Sequence, residues 1–150
     1  MKTLLYCCFL LALAPNAAAA DDGEAEVRAF VTRLDAAISS KDLDKIAVFY
    51  DKDVTIYEGD GVNVGWADYR DNHLGPELKE LQDLRFEHVG ARVRLLGDGR
   101  AAVVSAEYVL KARTSEREVS GKGLDTLVLA KGDNGAWTIR HEHMSFACHH

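Results

Sequence analysis

Apolar residues recur at helical spacing in the first third of the chain. From Glu24 to Ser39 the charged positions alternate with an apolar stripe made of Val27, Phe30, Val31, Leu34 and Ile38. Such a stripe is typical of an amphipathic helix with one buried face. A second, shorter helix is predicted after Asp42, which can cap it, with its own stripe at Leu43, Ile46, Ala47 and Tyr50.

A short strand and a third helix are predicted next. Val54 to Glu58 reads as a strand that ends at the turn signal Gly59-Asp60-Gly61. Trp66 to Leu74 has helical spacing and ends at Gly75-Pro76. Proline suits the first turn of a helix, so another turn is expected through Leu81.

The second half of the chain changes to the period of extended strands. The pattern gives four apolar, β-branched segments, which are Leu84–Leu96, Ala102–Leu110, Glu118–Ala130 and Trp137–Ser145. The turn signals Gly97-Asp98-Gly99 and Gly132-Asp133-Asn134-Gly135 separate the first pair and the last pair. The pattern predicts a four-stranded antiparallel meander. Helices followed by such a meander define an α+β domain.

The N-terminus has the features of a cleaved signal peptide. Lys2 precedes an apolar stretch from Leu4 to Leu13 that is too short to span a bilayer, and Ala18-Ala19-Ala20 stands before Asp21. We therefore expect residues 1–20 to be removed and residues 21–150 to form one domain. The mature protein is expected to be periplasmic or secreted, with no membrane segment after signal cleavage.

Charge and cysteine content narrow the classes of partner. The chain has 18 basic and 24 acidic residues, and loss of Lys2 leaves 17 basic residues and a net charge of 17 − 24 = −7. This acidity argues against nucleic acid binding. Of the three cysteines, Cys7 and Cys8 lie in the signal peptide, so Cys148 cannot form an internal disulfide. It could link two chains or stay buried.

The last strand contains two histidines at alternate positions. Under strict alternation its inward face would carry Trp137, Ile139, His141, His143 and Ser145. Trp137 and Ile139 would then lie in the core, and the two imidazoles would continue the same line into a pocket. Histidines two residues apart on a strand are also spaced to hold one ligand or one metal ion.

Two segments resemble a known superfamily. Tyr50-Asp51-Lys52-Asp53-Val54-Thr55 and the segment from Gly135 to Ser145 resemble the SnoaL-like and DUF4440 groups of the NTF2-like superfamily, and the association domain of calmodulin-dependent kinase II. The order of helices and strands over residues 24–147 is similar too. The resemblance implies a cone in which three helical segments pack on a strongly curved, mostly antiparallel sheet, with a pocket at the wide end.

The resemblance also implies where the candidate residues lie. It places His141 and His143 at the pocket, Tyr57 and Glu58 at its rim, and His73 facing inward from the third helix. His73 shares its helical face with Trp66, Tyr69 and Arg70, which is equally typical of a core histidine. Members of this superfamily commonly pair sheet to sheet, and Arg85, Arg92 and Arg94 could pair with acids across a homodimer or form a solvated face.

Three functions are open at this point. The first is binding of a small polar or aromatic ligand, with no required cofactor, in a pocket lined by Tyr57, Glu58, Trp66, Tyr69, His73, Tyr108, His141 and His143. The second is a zinc or copper site formed by His73, His141 and His143, with Glu58 as a fourth ligand, although the tail Cys148-His149-His150 could also collect metal.

The third is an isomerase or dehydratase. The resemblance implies tyrosine hydroxyls that polarise the substrate, here from Tyr57, Tyr69 or Tyr108, with His141 or His143 as the base. A carboxylate is harder to place. Asp125 faces inward only if the loop around Asp133-Asn134-Gly135 has an odd number of residues, whereas a two-residue loop turns Thr126 and Val128 inward.

Overall fold

The computed structural model describes residues 17–146, and their side chains from residue 22 onward. The predicted signal peptide, apart from its last residues, and the tail Cys148-His149-His150 lie outside this range. The helices are α1 (Ala17–Ser40), α2 (Leu43–Ala47), α3 (Trp66–Tyr69), a π-helical turn (Arg70–Leu74) and α4 (Gly75–Glu80). None of these described helices is long and apolar enough to cross a membrane.

Six strands form one sheet. They are β1 (Tyr50–Glu58), β2 (Gly61–Val64), β3 (Gln82–Leu96), β4 (Ala101–Arg113), β5 (Glu118–Lys131) and β6 (Trp137–Phe146). Their order in the sheet is β2-β1-β6-β5-β4-β3, so the predicted meander is confirmed. β1 pairs with β6 in parallel, and the other neighbours are antiparallel. The sequence pattern did not predict β2, which forms an antiparallel hairpin with β1.

The predicted amphipathic helix is confirmed as α1. Its apolar stripe is buried against the concave face of the sheet, and Val27 and Leu34 are fully enclosed. Asp42 caps α2 as expected, because its side chain accepts hydrogen bonds from the backbone of Asp44 and Lys45. Tyr50 opens β1 instead of ending α2. The backbone N–H of Ile139 donates to the carbonyl of Phe49, which draws this part of the chain into the sheet.

A β-bulge bends β3 in its middle. The register with β4 shifts between Val89 and Arg92, where Gly90 adopts a φ of 66° that favours glycine. Because of the extra residue, Arg85, Arg92 and Arg94 all lie on the convex outer face of the sheet and are exposed. The inward side chains of β3 are Leu84, Phe86 and His88 before the bulge and Ala91, Val93 and Leu95 after it.

A second bulge in β6 reverses the expected alternation. Ile139 pairs with Leu129 and His141 with Val128, so Arg140 has no partner of its own on β5. Trp137 and Ile139 are buried as predicted. Beyond Arg140, however, Glu142 and Met144 point inward, and the prediction that His141 and His143 share the face of Trp137 is wrong. The side chain of Arg140 is anchored by a 2.6 Å ion pair with Asp51.

The β5–β6 connection decides which face Asp125 occupies. Lys131 pairs with Trp137, so five residues, 132 to 136, form the loop. This odd number turns Asp125, Leu127 and Leu129 inward, and all three are buried. Asp125 therefore faces the interior, although the histidine pair that it was expected to meet lies on the other side of the sheet.

Candidate functional site: a polar cavity inside the cone

A small cavity of about 50 Å³ lies between the end of α1, the α3–α4 segment and the concave face of the sheet. Most of its wall is apolar, and five polar side chains interrupt it. The lining residues are Ile38, Tyr50, Glu58, Tyr69, Leu74, Glu77, Leu78, Leu81, Leu84, Phe86, Leu110, Glu142 and Met144. Enclosed apolar walls with a few convergent polar groups are typical of ligand sites.

Glu142 is the most deeply buried acid of this cavity. Its side chain is 2% exposed, and no group in the described part of the chain satisfies its Oε2. Burial, and then the charge of Asp125, raise the pKa of Glu142 well above its ordinary value. The protonated form is therefore favoured, and it presents an O–H donor as well as acceptor oxygens.

Two tyrosines stand beside the acids. Tyr50 stacks on Trp66 with ring centroids 5.0 Å apart, and the Tyr69 hydroxyl donates to Glu58 Oε2 over 3.3 Å. Burial and then the charge of Glu142 raise the pKa of both hydroxyls well above the usual range. Both phenols keep their protons at neutral pH and act as hydrogen-bond donors.

At the rim of the cavity, one histidine lies between two glutamates. His73 Nε2 is 3.4 Å from Glu58 Oε2 and 3.4 Å from Glu77 Oε1. His73 Nδ1 is 2.9 Å from Asn63 Oδ1, and the amide nitrogen of Asn63 donates to Asp68. Burial, and then the charge of Glu77, raise the pKa of Glu58.

The π-helical turn positions this histidine. Its wider turn makes the N–H of Gly75 donate to the carbonyl of Arg70, five residues earlier. A Cβ on Gly75 would lie 2.4 Å from that carbonyl oxygen, so the residue after the turn must be glycine. π-Helical turns inside helices occur often at functional sites.

A deeper polar cluster backs the cavity. His88 Nδ1 lies 2.5 Å from Asp35 Oδ1, and His88 Nε2 lies 2.8 Å from Asp125 Oδ2. Burial alone lowers the pKa of His88, but the hydrogen bonds to Asp125 and Asp35 outweigh it and raise that pKa to about 10. The imidazole is thus a cation that donates from both nitrogens. No described group satisfies Asp125 Oδ1.

The predicted site residues divide between the two faces of the sheet. Glu58 and Tyr69 line the cavity, and Trp66 packs behind Tyr50. Tyr108 is buried and stacked on Phe86. Its hydroxyl has no hydrogen-bond partner among the described residues. Burial, and then the charges of Glu58 and Asp125, raise the pKa of this hydroxyl to about 12.

The three histidines do not come together. His141 and His143 pack around Tyr57 on the convex face, with ring centroids 5.5 and 6.0 Å from the tyrosine ring. His73 lies with Glu58 on the concave side. The expected three-histidine metal set is therefore not assembled, and neither His141 nor His143 reaches the cavity as a base. The bulge at Arg140 is the physical reason.

Sequence reasoning missed two interior groups, His88 and Glu142, and left a third, Asp125, open. His88 follows Leu84 and Phe86 at period two, which is a usable signal for an inward side chain. Asp125 depended on the parity of one loop. Glu142 had no usable signal, because strict alternation assigns it to the outer face and the bulge that turns it inward depends on strand pairing.

These features define an α+β cone whose interior holds a mostly apolar cavity with a few convergent polar groups. The chain matches the SnoaL-like domain family over residues 27–149 and belongs to that family. No curated protein matches the chain in sequence.

Solved structures share this fold at low sequence identity. An NTF2-like superfamily protein from Salmonella enterica serovar Typhimurium is 18% identical, with 87% of this chain and 94% of that chain covered and a TM-score of 0.78. A candidate calcium/calmodulin-dependent protein kinase II association domain from Xanthomonas campestris is 23% identical, with 81% and 86% covered and a TM-score of 0.71.

A third similar structure is a proposed ketosteroid isomerase from Shewanella frigidimarina. It is 22% identical, with 77% of this chain and 91% of that chain covered and a TM-score of 0.67. At these identities the likeness establishes the NTF2-like fold alone, because this fold hosts unrelated functions.

Proposed function

We propose that this protein binds a small, mostly apolar molecule that carries an oxygen acceptor, inside the cone beside Glu142. The observation that carries the proposal is the Glu142 carboxyl, which is enclosed and whose Oε2 has no hydrogen-bond partner among residues 17–146. An unsatisfied buried polar group costs roughly 1–3 kcal/mol. A ligand that hydrogen-bonds to this carboxyl recovers that free energy.

The lining defines the chemistry of the ligand. A protonated Glu142 donates to a carbonyl, ether or hydroxyl oxygen, while Leu78, Leu81, Phe86 and Met144 provide apolar contact. An anionic ligand is disfavoured, because Glu58 and Glu77 also face the cavity. The cavity of about 50 Å³ is far below the several hundred Å³ of drug-sized sites, so the ligand is small.

Acetone serves as a probe of this proposal, because it has an acceptor oxygen and two methyl groups and is the smallest ketone. In ¹H–¹⁵N NMR titration we expect saturable shifts at residues around Glu142 and α4. Glu142→Gln keeps a donor and should retain binding, whereas Glu142→Leu should lose it. Isobutene, which has a methylene group in place of the oxygen, is the matched probe. Shifts confined to the convex face, or equal binding by Glu142→Leu, would contradict the proposal.

Proton transfer is a second candidate, favoured by the position of Glu142 next to the hydroxyl of Tyr50 in an apolar enclosure. In this reading the less populated, ionised form of Glu142 removes a proton from the carbon beside a carbonyl and returns it, while a tyrosine O–H stabilises the enolate oxygen. The raised pKa of Glu142 makes that ionised form a stronger base. The similar structures include a proposed scytalone dehydratase from Novosphingobium aromaticivorans.

Deuterium uptake separates the two candidates. Acetone in D₂O should exchange its α-hydrogens faster with the protein than without it, and Glu142→Gln should abolish the acceleration while retaining binding. If exchange is not accelerated although acetone binds, the second candidate fails and the first stands.

We also propose a homodimer that forms through the convex face of the sheet. Val89, Leu124 and Phe146 lie together there and are 44%, 61% and 59% exposed. Exposed apolar patches commonly mark protein–protein contacts. The occupant that we propose is the same face of a second copy.

Export is likewise proposed, with the mature chain beginning at Asp21. Such cleavage removes only the first turn of α1. From residue 22 onward, where side chains are described, the first buried residue of that helix is Val27, so the described core does not include residues 1–20.

A further inference from the structure

We propose that Glu58, His73 and Glu77 bind one divalent transition-metal ion, Zn²⁺ in the first instance, at the rim of the cavity. This site keeps His73 and Glu58 from the set considered above and has Glu77 in place of His141 and His143. Its ligands come from β1, the π-helical turn and α4, and one ligand atom from each residue lies within 4.8 Å of the others. Two carboxylates and one imidazole are a ligand set that suits zinc and its neighbours in the first transition row.

The spacing of the donor atoms fits a metal better than a hydrogen bond. His73 Nε2 is 3.4 Å from an oxygen of each glutamate. A charge-assisted N–H···O bond is shorter, at about 2.7–2.9 Å. For metal–ligand distances of about 2.0–2.2 Å, by contrast, two ligands of a tetrahedral zinc ion lie roughly 3.4 Å apart. His73 therefore already stands at the edge length of a zinc tetrahedron from both carboxylates.

A chain of hydrogen bonds fixes which nitrogen of His73 carries the proton. Asp68 accepts from the amide nitrogen of Asn63, so the amide oxygen of Asn63 must point to His73. That oxygen can only accept, and His73 Nδ1 at 2.9 Å must therefore carry the proton. In the neutral imidazole the lone pair of Nε2 is then directed between Glu58 and Glu77. Metal-binding histidines are typically held through their second nitrogen in this way.

The third edge of the site can adjust. Glu77 is 54% exposed in its side chain and lies on α4 one helical turn after His73, so its carboxylate can move toward Glu58 without disturbing the core. Glu58 is 11% exposed and is oriented by the hydroxyl of Tyr69. Both glutamates also line the cavity, so the fourth coordination position opens toward it.

The histidine pair on the convex face provides the contrast. His141 and His143 are spaced for a metal, but in the described residues the group that meets the geometric requirement is Glu58, His73 and Glu77. Substituting the convex pair therefore tests whether zinc binding belongs to the rim.

The experiment is calorimetric titration of Zn²⁺ into untagged, chelator-stripped protein. All variants carry Cys148→Ser, His149→Ala and His150→Ala, which remove the ligands of the tail. We expect one equivalent of Zn²⁺ to bind, and Glu77→Gln, Glu58→Gln and His73→Gln each to weaken the affinity by at least about 10-fold. Glu80→Gln, on the same helix as Glu77, and the pair His141→Ala/His143→Ala should leave the affinity unchanged.

Glu77→Gln keeps the test decisive, because an exposed helical position tolerates this change and the fold can be checked by circular dichroism. Co²⁺ gives a second readout, since the visible absorption of a tetrahedral Co²⁺ complex should appear with the parent protein and vanish with folded Glu77→Gln. Zinc binding that survives Glu77→Gln and His73→Gln, that is lost with His141→Ala/His143→Ala, or that is undetectable at micromolar protein would overturn the proposal.

Discussion

At the scale of single residues, the interior of this cone contains ionisable groups that the packing of its core does not require. His88, Asp125 and Glu142 are each buried on the concave face, where an apolar residue would avoid desolvation. His88 is a cation held between two carboxylates, and Glu142 avoids the penalty by keeping its proton. The two solutions differ because Glu142 has no cationic partner within hydrogen-bonding distance among the described residues.

The ion triad of His88 predicts how stability depends on pH. The folded pKa of His88 is about 10 and its ordinary value is 6.5, so its contribution is complete below pH 6.5 and is lost as the pH rises through about 10. His88→Gln leaves two buried carboxylates without a cation. We expect it to lower the free energy of unfolding at neutral pH by roughly 3–5 kcal/mol.

Urea unfolding at pH 7 and pH 10.5 measures this effect. The difference between the parent protein and His88→Gln should shrink at the higher pH, and His141→Gln on the convex face is the control that should change little. An equal difference at both pH values would argue against a charged His88.

At the scale of elements, one extra residue in β6 determines what the cavity contains. Trp137 and Ile139 are two positions apart, whereas Ile139 and Glu142 are three positions apart. Because of the bulge at Arg140, these three residues and Met144 nevertheless all point inward. Bulges bend a strand and redirect its side chains. The same device at Gly90 bends β3, so bulges shape both an inner strand and an edge strand of the curved sheet.

Deleting Arg140 should be tolerated better than deleting its neighbour Thr138. Without Arg140 the strand regains regular alternation, and all the remaining side chains of β6 keep their faces. The deletion removes the half-exposed ion pair between Arg140 and Asp51, which contributes little to stability. Without Thr138, Trp137 turns outward. Exposing a large buried aromatic costs about 3–5 kcal/mol.

Thermal melts of the two deletion variants test this prediction. The Arg140 deletion should give a cooperative transition, and the Thr138 deletion should unfold at a much lower temperature or aggregate. If the order were reversed, the assignment of Arg140 as the inserted residue would be wrong.

At the scale of the whole molecule, the two faces of the sheet have different tasks. The concave face covers α1 and encloses the cavity, whereas the convex face presents the apolar patch of Val89, Leu124 and Phe146 to solvent. A second copy would cover this patch. Contacts there leave the cavity accessible, because the cavity and the patch lie on opposite sides of the sheet.

Light scattering at micromolar concentration should give about twice the mass of the mature chain. Leu124→Glu with Phe146→Glu places like charges in the patch and should yield a folded monomer, whereas Lys79→Glu, at an exposed position of α4 on the other side of the sheet, is the control. A parent protein that is monomeric at this concentration would exclude the dimer.

The intact mass of exported protein tests the other whole-molecule proposal. Material recovered from outside the cytoplasm should begin at Asp21, because the small residues Ala18-Ala19-Ala20 precede that position. Exported protein that retains residues 1–20 would contradict cleavage at this point.

Local pattern was sufficient for most of the elements and for the fold class. These predictions depend on residues that are close in sequence or lie on one face of an element. The structure confirms the apolar stripe of α1, the cap at Asp42 and the alternation of β4. β2 was missed because four residues carry little periodicity.

The composition of the site was decided by tertiary structure. Strict alternation of side chains between the two faces holds only for an uninterrupted strand. Because Arg140 is inserted in β6, Glu142 and Met144 face the interior instead of His141 and His143. A bulge is set by how a strand pairs with both neighbours, here β1 and β5, and those neighbours are distant in sequence. The sequence alone therefore determined that this chain is an NTF2-like α+β domain, whereas the pairing of its strands decided which polar residues face the cavity.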